Sequence, residues 1–267
     1  VTATLRTTTA KRTMATKRAP MDKTRKTALI AGVFYLITFI SIPTLALYGP
    51  VKNHRDWILS SGSHTGVLVG GFLEVIVALA GIGTAVTLYP VVKRQNEGFA
   101  LGFVTARVVE AVMIFTGVVS LLSLVTLRQD LGGAGGANAA SLVATGASHV
   151  AVYNWTFLLS QSLMPAINAL LLGSLMYRSR LVPRIIPAIG LIGAPFLICT
   201  VIATLFGAMK LGSPELAAVP VAAWEFSLGV WLVVKGFRSC PITAEIAAEA
   251  GDLRPVPGLQ PTQAPTR

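Results

Sequence analysis

Charge is what this sequence has least of. Of its 267 residues, 12% are charged and 53% are hydrophobic. A soluble domain carries about 25% charged residues. Half that density does not solvate the surface of a globular chain this long. Cysteine is nearly absent, and two residues exclude a disulfide-built secreted scaffold. Acids are scarce, at 11 against 22 Lys and Arg. The sequence has no H-E-x-x-H, no G-x-S-x-G and no Walker pattern, so metalloprotease, α/β-hydrolase and P-loop chemistry have no anchor. Disordered and collagen-like classes fail on the apolar content. The mean hydropathy of +0.69 leaves an integral membrane protein, all-α, with no cofactor motif and no enzymatic constellation.

A bilayer core about 30 Å thick needs roughly 20 apolar helical residues. Six runs qualify: 27–48, 65–89, 99–127, 149–177, 185–206 and 216–234. Together they predict one six-helix transmembrane domain over 27–237. Its connections are short, so consecutive helices should be antiparallel neighbours. The basic segment 1–26 and the segment 238–267, which ends Pro-rich, are expected to be disordered tails, with a short helix near Ile242–Ala250. Val1 points to a non-standard start, with Met14 and Met21 as other candidates. The first run is too long for a signal peptide, and Thr44-x-Ala46 is a poor cleavage site. Gly132–Gly136 lacks the Lys-Ser/Thr of a phosphate loop and reads as a linker. Gly81-x-Gly83 lacks a third small residue at Val86.

The basic residues are unevenly placed. One side would hold Arg6, Lys11, Arg12, Lys17, Arg18, Lys23, Arg25 and Lys26 before the first span. It would also hold Lys93, Arg94, Arg178, Arg180 and Arg184 in loops, and Lys235, Arg238, Arg254 and Arg267 after the last. The other side holds Lys52, Arg55, Arg128 and Lys210. The excess predicts both termini in the cytoplasm. It also predicts contact of the cytoplasmic face, the loop of Arg178, Arg180 and Arg184 above all, with anionic lipid headgroups. Nucleic acid is not expected, because the cations are divided among four segments with few aromatics between them.

Four ionisable residues fall inside the spans: Glu74, Arg107, Glu110 and Glu225. At about 1.5 Å per residue, all lie near one depth, close to the midplane. Each would cost about 2.5–3.5 kcal/mol facing lipid, so they should face inward and meet. Small residues at helical spacing around Glu74 (Gly70, Gly71, Ala78) and Glu225 (Ala222, Gly229) mark closely packed faces. Asn154, Gln161 and Asn168, spaced by seven, predict a polar stripe on one side of the fourth span. Pro165 should kink that helix. Three acids and one arginine form a coupled set, as a proton-coupled or transport-like protein would use. The same residues also serve a structural or regulatory protein in which Arg107 clamps Glu110, Glu74 and Glu225 to fix helix register. Cys199 and Cys240 read as free, buried thiols. His54, His64 and His149 share the far side with Asp56, Asp130 and Glu215, but no pair has helical ligand spacing.

Three phrases taken together carry a resemblance. They are Arg107-Val108-Val109-Glu110, Tyr177-Arg178-Ser179-Arg180-Leu181-Val182-Pro183-Arg184, and Glu225 leading to Trp231-Leu232-Val233-Val234-Lys235-Gly236-Phe237. The pattern resembles a bacterial multi-pass membrane family, domain of unknown function 4386, over about residues 27–237. The resemblance implies a bacterial plasma-membrane bundle. It implies no substrate, because the family carries no established activity. In such families the acid of the second span is often Asp; here it is Glu74.

Overall fold

Inside lipid a chain must satisfy every backbone N–H and C=O internally, so apolar runs of this length fold as helices. A computed structural model describes residues 23–131, 137–211 and 215–252, and among them there are helices and no strand. Helix α1 (Lys23–Thr38) passes through a 3-10 turn at Phe39–Ser41 into α2 (Ile42–Leu47). The following connection contains α3 (Gly49–Asn53) and a 3-10 turn at Trp57–Leu59. Then come α4 (Thr65–Val92) and α5 (Glu97–Leu131). Helix α6 (Ala137–Leu158) runs through a π-helical turn at Leu159–Leu163 into α7 (Met164–Ser179). Helices α8 (Ile185–Leu205), α9 (Glu215–Val234) and α10 (Pro241–Asp252) complete the order.

Six stretches are long and apolar enough to cross a membrane: Lys23–Thr44, Thr65–Val92, Glu97–Leu131, Asn138–Ser179, Ile185–Leu205 and Leu216–Val234. The chain is a multi-pass membrane protein. Its spans form a closed ring. Neighbours in sequence pack together (α1 on α4, α4 on α5, α5 on α6 and α7, α7 on α8, α8 on α9), and α9 returns to α1. The closing seam is tight because it is made of glycine. A Cβ on Gly32 would lie 2.8 Å from the Gly229 carbonyl oxygen, so any larger residue would hold the two backbones apart. At the end of the ring where α1 begins, Arg25 donates to the carbonyl oxygens of Leu232 and Val233 at 2.8 and 2.6 Å. That contact satisfies acceptors that the last turn of α9 leaves open.

Prolines break two of the spans. Pro43 has no N–H to offer Phe39, and the Ile42 N–H takes the Phe39 carbonyl in a tightened turn instead. Pro165 likewise has no N–H for Gln161, and the helix widens so that the Met164 N–H reaches back to Leu159.

Several boundaries differ from those read in the sequence. Residues 23–26, assigned to a disordered tail, begin α1, because Arg25 has its acceptors on α9. Pro90 does not end the second helix, which runs on to bury Val91 and Val92. The third helix passes Arg128, which is buried rather than terminal. The fourth begins at Ala137, twelve residues before the expected 149. In the tail from 238 the expected short helix is present as α10, which buries Ile242 and is tied to Arg94 through Glu249. Residues 1–22, Gly132–Gly136 and 253–267 lie outside the described residues, and with them Met14, Met21, the linker and the Pro-rich end. Cys199 is free as expected but exposed on α8, not buried.

Candidate functional site

Two polar groups occupy the interior of the ring. The first is built on α5, where Arg107 and Glu110 stand at i and i+3 and share a face. Arg107 Nη1 donates to both carboxylate oxygens of Glu110 at 3.1 Å. Its Nη2 donates to Glu225 Oε1 on α9 at 2.5 Å. Asn168 on α7 donates from Nδ2 to Glu110 Oε2 at 2.7 Å. Arg107 is 2% exposed, and its guanidinium lies 5.3 Å from the Tyr35 ring centre and 5.8 Å from that of Phe103. One cation thus links α5 to α9, with aromatic faces covering what the carboxylates leave open. Among the described residues, Arg107 Nε, Asn168 Oδ1 and the Tyr35 hydroxyl are buried without a hydrogen-bond partner.

The second group surrounds Glu74 on α4, which is 1% exposed. Tyr153 on α6 donates its hydroxyl to Glu74 Oε1 at 2.9 Å, and Tyr48 donates to Oε2 at 3.2 Å. Gln161 Nε2 donates to Oε1 at 3.2 Å. All three donors are neutral. No ion pair within 4 Å involves Glu74 among the described residues. A basic side chain, Lys52, stands on the far side of Tyr153, its Nζ 5.3 Å from the ring centre. Glycines make room for the tyrosines. A Cβ on Gly70 would lie 2.5 Å from Tyr48 Cε1, and one on Gly117 3.2 Å from Tyr153 Cδ2.

A cavity of about 170 Å³ lies against the first group, and Gln161 reaches it from the second. Arg107, Glu110, Glu225 and Gln161 line it, with Thr38 and Ser41 from the proline-broken first span. Discontinuous helices at this depth are where membrane proteins expose backbone acceptors to a site.

Glu74, Arg107, Glu110, Glu225, Gln161 and Asn168 therefore come together inside the ring, in two sets rather than one. The expectation that Arg107 also holds Glu74 is corrected: its Nη atoms are occupied by Glu110 and Glu225. Asn154 is corrected too. It lines a different cavity, with Lys52 and Trp57. The cause is the π-helical turn. One extra residue per turn rotates everything before Leu159 by about 100° relative to an unbroken helix, so Tyr153 takes the place that the spacing of seven gave to Asn154. Sequence reasoning missed Tyr48, Tyr153 and Tyr35. The available signal was weak: a tyrosine buried at a span needs a partner for its hydroxyl, and two such hydroxyls found the same acid.

Arg178, Arg180 and Arg184 are exposed together at the end of α7. Arg180 takes a left-handed φ of 58° that stops the helix. Arg184 Nε donates to the Tyr177 carbonyl at 3.3 Å, and its guanidinium lies 5.0 Å from the Tyr177 ring centre. His149 meets Ser120 at 3.1 Å, and His64 meets Gln129 at 3.1 Å. No three His, Cys, Asp or Glu converge as metal ligands among the described residues.

A family model described as "Domain of unknown function (DUF4386)" matches residues 30–236, which include both polar groups, five of the six spans whole and the first from residue 30 on. No curated protein and no solved structure matches the chain.

Proposed function

We propose that this chain, which belongs to the family of the domain of unknown function DUF4386, is a proton-coupled, transport-like membrane protein working through its midplane carboxylates. One observation carries this reading. Three buried carboxylates, Glu74, Glu110 and Glu225, share an interior in which the single guanidinium contacts two of them. Fully ionised, the group would hold surplus negative charge in a low-dielectric core. Such a core admits that charge only with a proton or small cation beside it. Arg107 is the fixed counter-charge, and Glu74, held by hydroxyls and an amide, is the acid free to exchange a proton. The protein carries rather than catalyses and needs no cofactor. In this reading both termini are cytoplasmic, supported by the excess of basic residues on that side, the membrane is the bacterial plasma membrane that the family resemblance implies, and Arg178, Arg180 and Arg184 lie against anionic headgroups.

A second reading is favoured by the Arg107 geometry alone. A guanidinium bonded to both oxygens of one acid and to another on a distant helix is also a packing lock, and the protein would then be structural or regulatory. Proteoliposomes loaded with a pH-sensitive dye separate the two. Under an imposed potential, the wild type should show proton flux above empty vesicles, and Glu74→Gln should remove it while leaving the thermal midpoint near that of the parent. Absence of wild-type flux, or equal flux in Glu74→Gln, overturns the transport reading.

A further inference from the structure

At the opposite end of the ring from Arg25, a second cavity of about 190 Å³ opens between the first connection and α6. Lys52, His54 and Arg55 line it together with Asn154 and Trp57, and no carboxylate does among the described residues. A water needs roughly 10–15 Å³ on this measure, so the space admits a ligand of several heavy atoms. This end of the chain has few basic residues: Lys52, Arg55, Arg128 and Lys210. Two of those four point to one concavity, which a scattered topology signal would not produce.

The wall that carries them is fixed in place. Arg128, 6% exposed, donates from Nε and Nη2 to the Ser60 carbonyl at 3.0 and 2.6 Å, and from Nη2 to the Gly62 carbonyl at 2.5 Å. Its guanidinium lies 4.1 Å from the Trp57 ring centre. The loop from His54 to Gly62 is therefore pinned to α5 and does not have to order when a ligand arrives, which lowers the cost of binding. On the other side, Gly146 and Ala147 of α6 line the space. A Cβ on Gly146 would still be 3.7 Å from Ile58. Lys52 is half-buried beside the rings of Tyr153 and Phe157, at 5.3 and 5.6 Å, so its charge acts in a partly desolvated place where Coulomb attraction is stronger than in water. Asn154, turned away from Glu74 by the π-helical turn, adds an amide to the same wall.

We infer that this cavity is a binding site for a small anion bearing a carboxylate or phosphate group, recognised by Lys52, Arg55 and Asn154 against a Trp57 wall. The group can come from a free anion or from the headgroup of an anionic lipid. None of the midplane acids lines the site, although its Lys52 also stands beside Tyr153 of the Glu74 group, and its occupancy does not depend on the transport reading.

The test uses the full chain in an uncharged detergent and follows tryptophan emission, to which Trp57 contributes from the wall. Inorganic phosphate, acetate and a short-chain phosphatidylglycerol are titrated separately against chloride at equal ionic strength. Saturable binding of at least one is expected. Phosphate or acetate saturating identifies a free-anion site, and phosphatidylglycerol alone saturating identifies a headgroup site. In Arg55→Gln, whose side chain is exposed, the affinity should fall at least about tenfold, the loss of one charge-assisted hydrogen bond. Ala147→Phe fills the space without changing charge or adding a tryptophan and should abolish binding; it keeps the test valid if the arginine variant proves unstable. The inference is overturned if no probe saturates, or if both variants bind as the parent does.

Discussion

Two carboxylates in this bundle are buried to similar depth and held in opposite ways. Glu110 faces a guanidinium at 3.1 Å through two bonds. Glu74 is 1% exposed, and its three donors are two hydroxyls and an amide. In the first case a charge is matched by a charge, and each ion depends on the other to justify its removal from water. In the second, the donors suit a carboxylate and can rearrange around a carboxylic acid, because a hydroxyl both gives and accepts. The difference teaches where stability and function divide. The Arg107 group fastens α5 to α9 and loses its purpose if an ion is neutralised. The Glu74 group tolerates either protonation state without stranding a partner.

Breaking the charged side of the comparison should have the largest effect. Arg107→Ala leaves Glu110 and Glu225 buried without their cation, and removing one partner of such a group costs about 3–5 kcal/mol. The expected outcome is a protein that expresses poorly or unfolds far below the parent in detergent, read from its thermal midpoint. A triple variant, Arg107→Met with Glu110→Gln and Glu225→Gln, should recover part of the loss, because no ion is then left alone. If Arg107→Ala were as stable as the parent, the group would not be the fastening described.

Disturbing the neutral side sterically should cost less. In Gly70→Ala the new methyl would meet the Tyr48 ring, 2.5 Å from Cε1, and that ring cannot swing aside while its hydroxyl stays on Glu74. Overpacking of this kind costs about 1–3 kcal/mol. Adding Tyr48→Ala to Gly70→Ala should cancel the clash, so the two effects should not add. Glu74→Gln, by contrast, keeps shape and hydrogen-bonding capacity. Its carbonyl accepts from Tyr153 and Gln161, and its amide donates to the Tyr48 oxygen. A change within about 1 kcal/mol is expected, measured by the same thermal unfolding. A fall matching that of Arg107→Ala would mean the two carboxylates are not held differently after all.

The parts of this picture that were legible in sequence are those set by length and local spacing. The six spans follow from apolar runs that lipid forces into helices. The Arg107–Glu110 pair follows from a spacing of three on one helix. Glu225 joins them because a charge at the same depth has nowhere cheaper to go. What stayed hidden depends on events between helices. The spacing of Asn154, Gln161 and Asn168 assumes an unbroken helix, and one π-helical turn before Pro165 puts Tyr153 where Asn154 was expected. Tyr48 sits just past α2 and reaches Glu74 only because Gly70 is bare. Arg128 looks like the end of a span until Ser60 and Gly62 are seen to accept from it. The short helix of the second tail was expected but its anchor was not, because α10 is held by Arg94, 155 residues from Glu249.

That last contact supplies the mildest test, because it repeats the Arg107–Glu110 chemistry in water. Arg94 Nη1 and Nη2 donate to the two oxygens of Glu249 at 2.9 and 2.7 Å, a parallel fork of good geometry. The Arg94 hydrogen bonds hold the Glu249 carboxyl below its ordinary range, yet the carboxylate side chain is 57% exposed, and water screens what the fork gains. A carboxyl depressed in the folded state contributes stability above its unfolded value and loses it as the pH falls through its folded one. Protection of the α10 amides from hydrogen exchange should therefore be flat across neutral pH and decline only in acid below the usual carboxylate range. Raising the salt should weaken it as well. Arg94→Gln should remove the acid-dependent part and leave the thermal midpoint of the bundle unchanged, because Ile242 still packs α10 against the core and no span relies on the fork. If Arg94→Gln lowered the midpoint as Arg107→Ala does, burial would not be what separates a charge pair that fastens helices from one that merely decorates a surface.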